Sequence, residues 1–120
     1  MTIKIGINGL GRIGRMVIRS IFENNKKNIE IKHINNRTDL KNCSQLLKYD
    51  SIHGRFNADI KFNEKNLFIN NKKISYSRET ELNNINWKKN GVDIVLECTG
   101  KNNSKEKSFQ HIKNGAKKVI

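Results

Sequence analysis

The sequence predicts an α/β fold with a doubly wound, mostly parallel sheet and a small antiparallel insert. Three observations lead to this fold class. A glycine-rich break separates an alternating apolar pattern from a helical one in "TIKIGINGLGRIGRMV", a second alternating run follows in "IEIKHIN", and "VDIVLECTG" is nearly continuously apolar. A strand, a helix and a second strand within about thirty-five residues form the βαβ unit that connects neighbouring parallel strands.

The first strand and the first helix meet at the glycines. Ile3, Ile5 and Ile7 alternate with polar residues over 2–8, which predicts a strand with one strongly apolar face. Helical spacing of the apolar residues begins at Ile13 and stops before the polar run "NNKKN". The buried stripe that we expect on this helix consists of Ile13, Met16, Val17 and Ile21.

The next segments predict a strand, a helix and the insert. The period-two run at 29–35 is a second strand, and "DLKNCSQLLKY" at 39–49 is a helix that Asp39 caps. Short alternating runs between 58 and 77, "ADIKF", "NLFINN" and "KKISYS", are separated by polar turns and predict antiparallel hairpins. The expected buried stripe of the helix consists of Leu40, Cys43, Leu46 and Leu47.

The last third of the chain predicts further strands of the parallel sheet. Trp87, in a short helix and loop, is expected to be a packing anchor. The apolar run at 92–100 is typical of a strand that is buried on both faces. Ser104 is expected to cap a helix that ends at Gly115, and "AKKVI" begins one more strand. We expect one domain over residues 1–120, truncated within the second half of its sheet.

The charge of the chain is strongly positive, with a formal net charge of +13 and a sequence pI near 10.0. Such a charge raises nucleic-acid binding as a hypothesis. However, the lysines are spread along the chain among Asn and Ile residues, whose codons are also A/T-rich, so genomic base composition accounts for the excess. Because the chain shows no aromatic residues interleaved with Lys and Arg and no helix-turn-helix motif, we do not expect nucleic acid as the main partner.

Cysteine usage and hydropathy indicate a soluble, cytoplasmic protein. The two cysteines form no CxxC motif and no cluster with histidine, so the sequence predicts neither a disulfide framework nor a metal site. No apolar run approaches the ~18 residues that indicate a membrane span. The N-terminus lacks the apolar stretch of a signal peptide.

Gly9, Gly11 and Gly14 form the pattern GxGxxG directly after a strand and at the start of a helix. Gly9 permits the tight turn, Gly11 lets the backbone approach a pyrophosphate, and Gly14 lets the helix pack closely on the strand. The N-terminus of the helix then faces the anion. Since a lone GxGxxG is a weak signal, it is the flanking strand and helix that predict a Rossmann-type, NAD(P)-binding domain.

The end of the second strand bears on the choice of cofactor. Dinucleotide-binding domains place an acidic residue there, where it binds the ribose hydroxyls. This chain has Asn36 and Arg37 at that point, and Asp39 follows slightly after the expected position. An amide does not repel a 2′-phosphate as a carboxylate does, and Arg37 can pair with one. In the alternative interpretation, Asn36 binds the ribose of NAD and Arg37 points to solvent. We expect use of both NAD and NADP.

No pair of residues in the chain predicts catalysis. His33, His53 and His111 stand apart from carboxylates and cysteines in the sequence, and we expect structural roles for them. Cys43 lies on the apolar face of a predicted helix and Cys98 in an apolar strand, where buried thiols are usually unreactive. The sequence therefore offers no nucleophile paired with a base.

Four segments resemble, in order and spacing, the N-terminal part of the glyceraldehyde-3-phosphate dehydrogenase family. They are "KIGINGLGRIGR", with Asn8 before the glycines, "LLKYDSIHGRF", "VDIVLECTG" and "HIKNGAKKVI". The stretch "TGKNNSKEKSF" is similar to the bacterial, NADP-tolerant gluconeogenic branch of this family. Erythrose-4-phosphate dehydrogenase, a sister enzyme, shares most of these segments and stays an alternative.

The resemblance implies an NAD(P)-dependent, phosphorylating oxidation of an aldehyde through a thiohemiacetal and an acyl-enzyme. It also implies a cytoplasmic homotetramer of glycolysis or gluconeogenesis. The family's nucleophilic cysteine in "SCTTN", its general-base histidine and its phosphate-binding residues lie beyond residue 120, and neither Cys43 nor Cys98 matches that nucleophile. We therefore expect this chain alone to be inactive, as an incomplete gene record or a real truncation. A non-enzymatic nucleotide-binding module and a basic RNA-binding protein are the alternatives.

The resemblance also assigns cofactor-binding residues. It places Arg12 and Ile13 against the pyrophosphate, and Asn36 at the position of the family's usual ribose-binding Asp. Arg78 matches an arginine on the adenine side. The complete set of cofactor-binding candidates is Asn8, Gly9, Gly11, Arg12, Ile13, Gly14, Asn36, Arg37, Arg78, Thr99 and Gly100, of which the last two are expected beside the nicotinamide.

Overall fold

A computed structural model of the chain describes residues 3–23, 28–50, 54–55, 59–70, 72–79, 81, 84–98 and 111–120. Two helices lie entirely within these ranges, α1 (Arg12–Glu23) and α2 (Leu40–Lys48). The strands are β1 (Ile3–Asn8), β2 (Ile29–Asn35), β3 (Tyr49–Asp50), β4 (Gly54–Arg55), β5 (Ile60–Phe62), β6 (Asn66–Ile69), β7 (Lys72–Ser77), β8 (Ile94–Glu97) and β9 (Lys118–Val119).

Seven of these strands form one sheet in the order β5-β6-β7-β2-β1-β8-β9. The pairs β1–β2, β1–β8, β2–β7 and β8–β9 are parallel, whereas β5–β6 and β6–β7 are antiparallel. The strands β3 and β4 form a separate antiparallel pair. This arrangement confirms the predicted Rossmann-type α/β fold, with its mostly parallel sheet and antiparallel insert. The carboxyl ends of β1, β2, β7 and β8 meet at one edge of the sheet.

The buried face of α1 differs from the predicted stripe. Ile13 and Met16 are 65% and 44% exposed, while Ile18 and Ile21 are buried. The reason lies at Gly14, where an added Cβ would stand 2.4 Å from the carbonyl oxygen of Gly9. This close approach turns Gly14 toward the sheet and carries the residues four and seven positions later to the same side. The expectation for Ile13 and Met16 was therefore wrong.

The second helix begins as predicted. The Asn42 N–H donates to Asp39 Oδ1 at 2.8 Å, which confirms Asp39 as the cap. The buried stripe consists of Leu40, Cys43, Ser44 and Leu47, whereas Leu46 is 43% exposed. Ser44 takes the inward position because its hydroxyl donates to the Leu40 carbonyl at 2.7 Å and is thereby satisfied. The expectation that Leu46 is buried was wrong.

Trp87 is fully buried and anchors a second, smaller core, as predicted. Its ring lies against β1 at Gly6, where an added Cβ would approach the ring to 2.5 Å. Val95 of β8 packs in this cluster, while Ile94 and Leu96 on the opposite face are only partly buried against the main core. The expectation that β8 is buried on both faces is therefore met fully on the face of Val95 and only in part on the face of Ile94 and Leu96.

The remaining predictions concern the end of the chain. Residues 111–113 are helical, and Gly115 at φ +111° ends the helix, as predicted. The strand predicted in "AKKVI" is β9. Ser104 lies outside the described residues. In the described ranges, every helix is too short or too polar to cross a lipid bilayer.

Candidate functional site

The glycine turn between β1 and α1 has the geometry that the motif predicts. Gly9 has φ +96°, a conformation that favours glycine, and its N–H donates to the Asn35 carbonyl at 2.8 Å. The start of α1 crosses directly over Gly9, because Gly14 has no Cβ to collide with the Gly9 carbonyl. Both glycines are therefore required by the protein's own packing.

Gly11 differs from its two neighbours in the motif. Among the described residues, a Cβ added there meets no heavy atom within 4 Å, and the φ of Gly11 lies outside the left-handed region. The packing of the described residues therefore does not require glycine here. Gly11 lies at the N-terminal end of α1, where backbone N–H groups and the helix dipole favour an anion. The exposed Arg12 and Ile13 follow it directly.

Asn36 joins the end of β2 to the glycine turn. Its Oδ1 accepts a hydrogen bond from the Leu10 N–H at 3.2 Å, and its own N–H donates to the Ser77 carbonyl at 3.0 Å. In the next turn, the Tyr76 hydroxyl donates to the Thr38 carbonyl. Asn36 therefore lies beside the glycine turn.

Two arginines lie at the same corner of the sheet. Arg78 Nε donates to the Arg37 carbonyl at 2.9 Å, and both residues are exposed. The contact brings together two cationic residues that are 41 positions apart in the sequence. It places Arg78 and Arg37 next to Asn36, at the edge where the resemblance predicts the adenosine half of a cofactor.

Asn8 does not face the open side of the turn. It is buried, and its Nδ2 donates to Glu97 Oε1 at 2.8 Å. Its Oδ1 accepts from Asn35 Nδ2 at 2.9 Å. The Asn8 side chain thus ties together the carboxyl ends of β1, β2 and β8, beneath the glycine turn.

The chain of hydrogen bonds continues from Glu97 to residues that no sequence pattern connects. The Trp87 indole N–H donates to His111 Nδ1 at 3.0 Å, and His111 Nε2 lies 2.8 Å from Glu97 Oε1. Because an indole N–H is only a donor, His111 Nδ1 must accept, and the proton of the neutral ring lies on Nε2. Sequence reasoning missed this connection because its members are far apart and share no spacing.

His33 lies at the other end of the same buried layer. Its Nδ1 is 2.7 Å from Ser75 Oγ and its Nε2 is 2.8 Å from Ser77 Oγ. Ser77 Oγ in turn donates to Asn35 Oδ1 at 2.6 Å. Burial lowers the pKa of His33 to about 4. The ring also stands edge-on to Trp87, with the ring centroids 5.5 Å apart.

The two cysteines supply no reactive thiolate. Burial raises the pKa of the Cys43 thiol to about 11 and also raises the pKa of Cys98. Thr99, Gly100 and His53 lie outside the described residues. Within the ranges that the structure describes, no cluster of three or more His, Cys, Asp or Glu residues is arranged to hold a metal ion.

Comparison with known proteins shows the family. The model of the family described as "Glyceraldehyde 3-phosphate dehydrogenase, NAD binding domain" matches residues 3–105. The chain belongs to this family. The family thus agrees with the resemblance in the sequence, and its description names NAD as the ligand of the domain.

Several glyceraldehyde-3-phosphate dehydrogenases are similar to the chain along its length. That of Geobacillus stearothermophilus is 45% identical over 120 residues, which are 100% of this chain and 35% of the relative. That of Thermotoga maritima is 43% identical over 117 residues, 98% of this chain and 35% of the relative. That of Buchnera aphidicola subsp. Schizaphis graminum is 46% identical over 120 residues, 100% of this chain and 36% of the relative. The chain spans about a third of the length of these relatives.

Proposed function

We propose that the chain binds NAD or NADP at the carboxyl ends of β1, β2 and β8, as the cofactor-binding part of a phosphorylating glyceraldehyde-3-phosphate dehydrogenase. One observation carries the proposal. Gly9 and Gly14 are required by the packing of the turn, but Gly11 faces space that no described residue fills, at the start of α1. A pyrophosphate in that space explains why Gly11 is present.

The cofactor would be held by three groups of residues. The glycine turn with Arg12 and Ile13 would bind the pyrophosphate, with Asn8 fixing the turn from below. Asn36, Arg37 and Arg78 would bind the adenosine half. Thr99 and Gly100 would lie beside the nicotinamide, which accepts a hydride when the cofactor is bound.

NADP is proposed beside NAD because of the polar groups around residue 36. Asn36 carries no charge, so it does not repel a 2′-phosphate. The contact between Arg78 and Arg37 adds two cationic residues at the same corner. Guanidinium groups pair strongly with phosphate.

The chemical step is proposed to need residues other than those of this 120-residue chain. Both cysteines have pKa values raised by burial, so at neutral pH they are thiols rather than nucleophilic thiolates. We expect no reduction of NAD(P) by this chain with glyceraldehyde 3-phosphate and phosphate. From the family resemblance, we further propose a homotetramer, which light scattering of the assembled enzyme would test. The same resemblance is the basis for proposing a cytoplasmic role in glycolysis or gluconeogenesis.

The test is titration calorimetry of the chain with NAD and with NADP, together with three glycine variants. Gly11→Ala should leave the unfolding midpoint unchanged and weaken the binding of both dinucleotides at least tenfold. Gly91→Ala is the matched control. Gly91 also faces open space, but it lies at the opposite edge of the sheet and has φ +73°. This control should lower the midpoint and preserve binding.

Gly14→Ala should lower the unfolding midpoint because its Cβ would meet the Gly9 carbonyl. Undiminished dinucleotide binding by a folded Gly11→Ala chain would refute the proposed site. Absence of binding by the unmodified chain would refute the proposed function.

A further inference from the structure

Asn35, the last residue of β2, is buried and uses every polar group of its side chain. Its Oδ1 accepts from the Glu79 N–H at 2.9 Å and from Ser77 Oγ at 2.6 Å. Its Nδ2 donates to the Glu79 carbonyl and to Asn8 Oδ1, each at 2.9 Å. A primary amide has two lone pairs and two N–H groups, so these contacts occupy all of them. Asn35 therefore has no polar group left for a ligand.

The backbone of Glu79 fixes the direction of the Asn35 amide. A backbone N–H can only donate and a backbone carbonyl can only accept, so Oδ1 must face the first and Nδ2 the second. An aspartate at position 35 could not donate to the carbonyl. A leucine of similar size could neither donate nor accept. The paired contact with Glu79 therefore requires an amide.

The hydrogen bonds of Asn35 lie on both sides of Arg78 in the sequence. Ser77, which precedes Arg78, is the last residue of β7 to pair with β2, and Glu79 follows Arg78 beyond the end of the strand. Asn35 bonds to both of these neighbours and so extends the attachment of this segment to β2 past the last strand pair. The side chain of Arg78 is held separately, because its Nε donates to the Arg37 carbonyl. The terminal N–H groups of the guanidinium are the donors that remain for a phosphate.

We propose that Asn35 is the positioning residue that holds Arg78 at the adenosine corner, and that it thereby sets the affinity for NADP relative to NAD. This inference rests on the proposed function, which places Arg78 at the adenosine half of the cofactor. Asn35 also bonds to Asn8, beneath the glycine turn. Loss of that bond should affect both dinucleotides alike, because the pyrophosphate is common to them. The ratio of the two affinities therefore reports on Arg78.

The test measures the dissociation constants of NAD and NADP by titration calorimetry for Asn35→Leu, Arg78→Ala and the double variant. We expect Asn35→Leu to weaken NADP about three- to tenfold relative to NAD, because the released backbone presents the guanidinium only part of the time. In the Arg78→Ala background, the same substitution should leave the ratio unchanged. Asn28→Leu, an exposed substitution just before β2, is the matched control and should leave the ratio unchanged as well.

Asn35→Ala takes the place of Asn35→Leu if the leucine variant does not fold, because the smaller side chain leaves room for water at the released polar groups. The inference is overturned if both dinucleotides bind but the Asn35 variant leaves their ratio unchanged. A shift of the ratio that is equally large in the Arg78→Ala background would overturn it too, because Asn35 would then act through another residue.

A second measurement needs no cofactor. Glu79 is exposed and follows the end of β7, but its N–H is bonded to Asn35. Hydrogen exchange measured by NMR should therefore be slow at the Glu79 amide of the unmodified chain and about tenfold faster in the Asn35 variant. Exchange at Asn42, whose N–H is likewise bonded to a side-chain oxygen, that of Asp39, should not change.

Equally fast exchange at Glu79 in the unmodified chain and in the variant would show that Asn35 does not hold this segment, and it would overturn the inference. If neither dinucleotide binds the unmodified chain, the proposed function fails, and with it the effect of Asn35 on cofactor affinity. Exchange at Glu79 then still decides whether Asn35 holds the residues around Arg78.

Discussion

Trp87 donates its indole N–H to His111 Nδ1 at 3.0 Å, and both side chains are fully buried. The bond assigns the proton of His111 to Nε2, which faces Glu97 Oε1. Asn8 Nδ2 donates to the same carboxylate oxygen. The floor of the candidate site is therefore a hydrogen-bonded layer in which the amide of Asn8 and the ring of His111 both donate to Glu97.

We expect Trp87→Phe to destabilise the chain by about 1–3 kcal/mol beyond the change in packing, because His111 Nδ1 loses its buried donor. Urea denaturation monitored by circular dichroism measures the change. Lys89→Ala, an exposed substitution two residues away, should stay within about 0.5 kcal/mol of the unmodified chain. Equal stabilities of the Trp87→Phe and Lys89→Ala chains would contradict the role of this bond.

The lowered pKa of His33 predicts that the folded chain loses stability in mild acid. Its pKa is about 4 in the folded chain and 6.5 ordinarily, so between these values the unfolded state binds the additional proton. Stability should be constant above about pH 6.5 and fall by about 3 kcal/mol as the pH decreases to about 4. His33→Asn should remove most of this decrease. Parallel pH profiles of the two chains, measured by urea denaturation, would show that His33 is not the titrating group.

The neighbouring leucines of α2 provide a matched pair. Leu47 is fully buried in the main core, whereas Leu46 is largely exposed. We expect Leu47→Ala to cost about 2–5 kcal/mol of unfolding free energy, because it leaves a cavity. Leu46→Ala should cost less than about 1 kcal/mol. Similar costs in denaturant titrations would mean that α2 does not turn Leu47 toward the core and Leu46 toward solvent.

The position of Arg78 predicts that its removal weakens the binding of NADP more than the binding of NAD. If a 2′-phosphate lies at the corner formed by Arg78 and Arg37, Arg78→Ala removes a charge-assisted hydrogen bond. NADP should then bind about tenfold more weakly, which corresponds to ~1.4 kcal/mol, and NAD should bind with little change. Lys72→Ala, at the opposite end of β7, is the control for net charge. Equal weakening of NAD and NADP would exclude a specific role for Arg78.

Much of the fold could be predicted from the sequence because local patterns dominate it. The alternation in β1 and β2, the glycine break and the Asp39 cap each depend on a few adjacent residues. The buried face of α1 could not be predicted from its apolar spacing. There the close approach of Gly14 to Gly9 fixes the rotation of the helix, at the expense of exposing Ile13 and Met16.

The candidate site, like the fold, combines features that local sequence patterns predict with features that they do not. The glycine turn and the position of Asn36 follow from the motif and from strand length. The contacts of His33 with Ser75, and of Glu97 with His111, depend on side chains that meet only through the sheet order. No periodicity encodes such pairs, because strand order places β7 next to β2 and β8 next to β1.

The bond between Asn8 and Glu97 joins residues 89 positions apart. At the ~5–20 residues per second of protein synthesis, Asn8 leaves the ribosome several seconds before its partner. Until β8 arrives, the first βαβ unit carries an unsatisfied amide beneath its glycine turn. A long loop must also close before that amide is paired. The glycine turn is thus formed from residues synthesised early, but the bond that fixes Asn8 beneath it forms only after Glu97 has been synthesised.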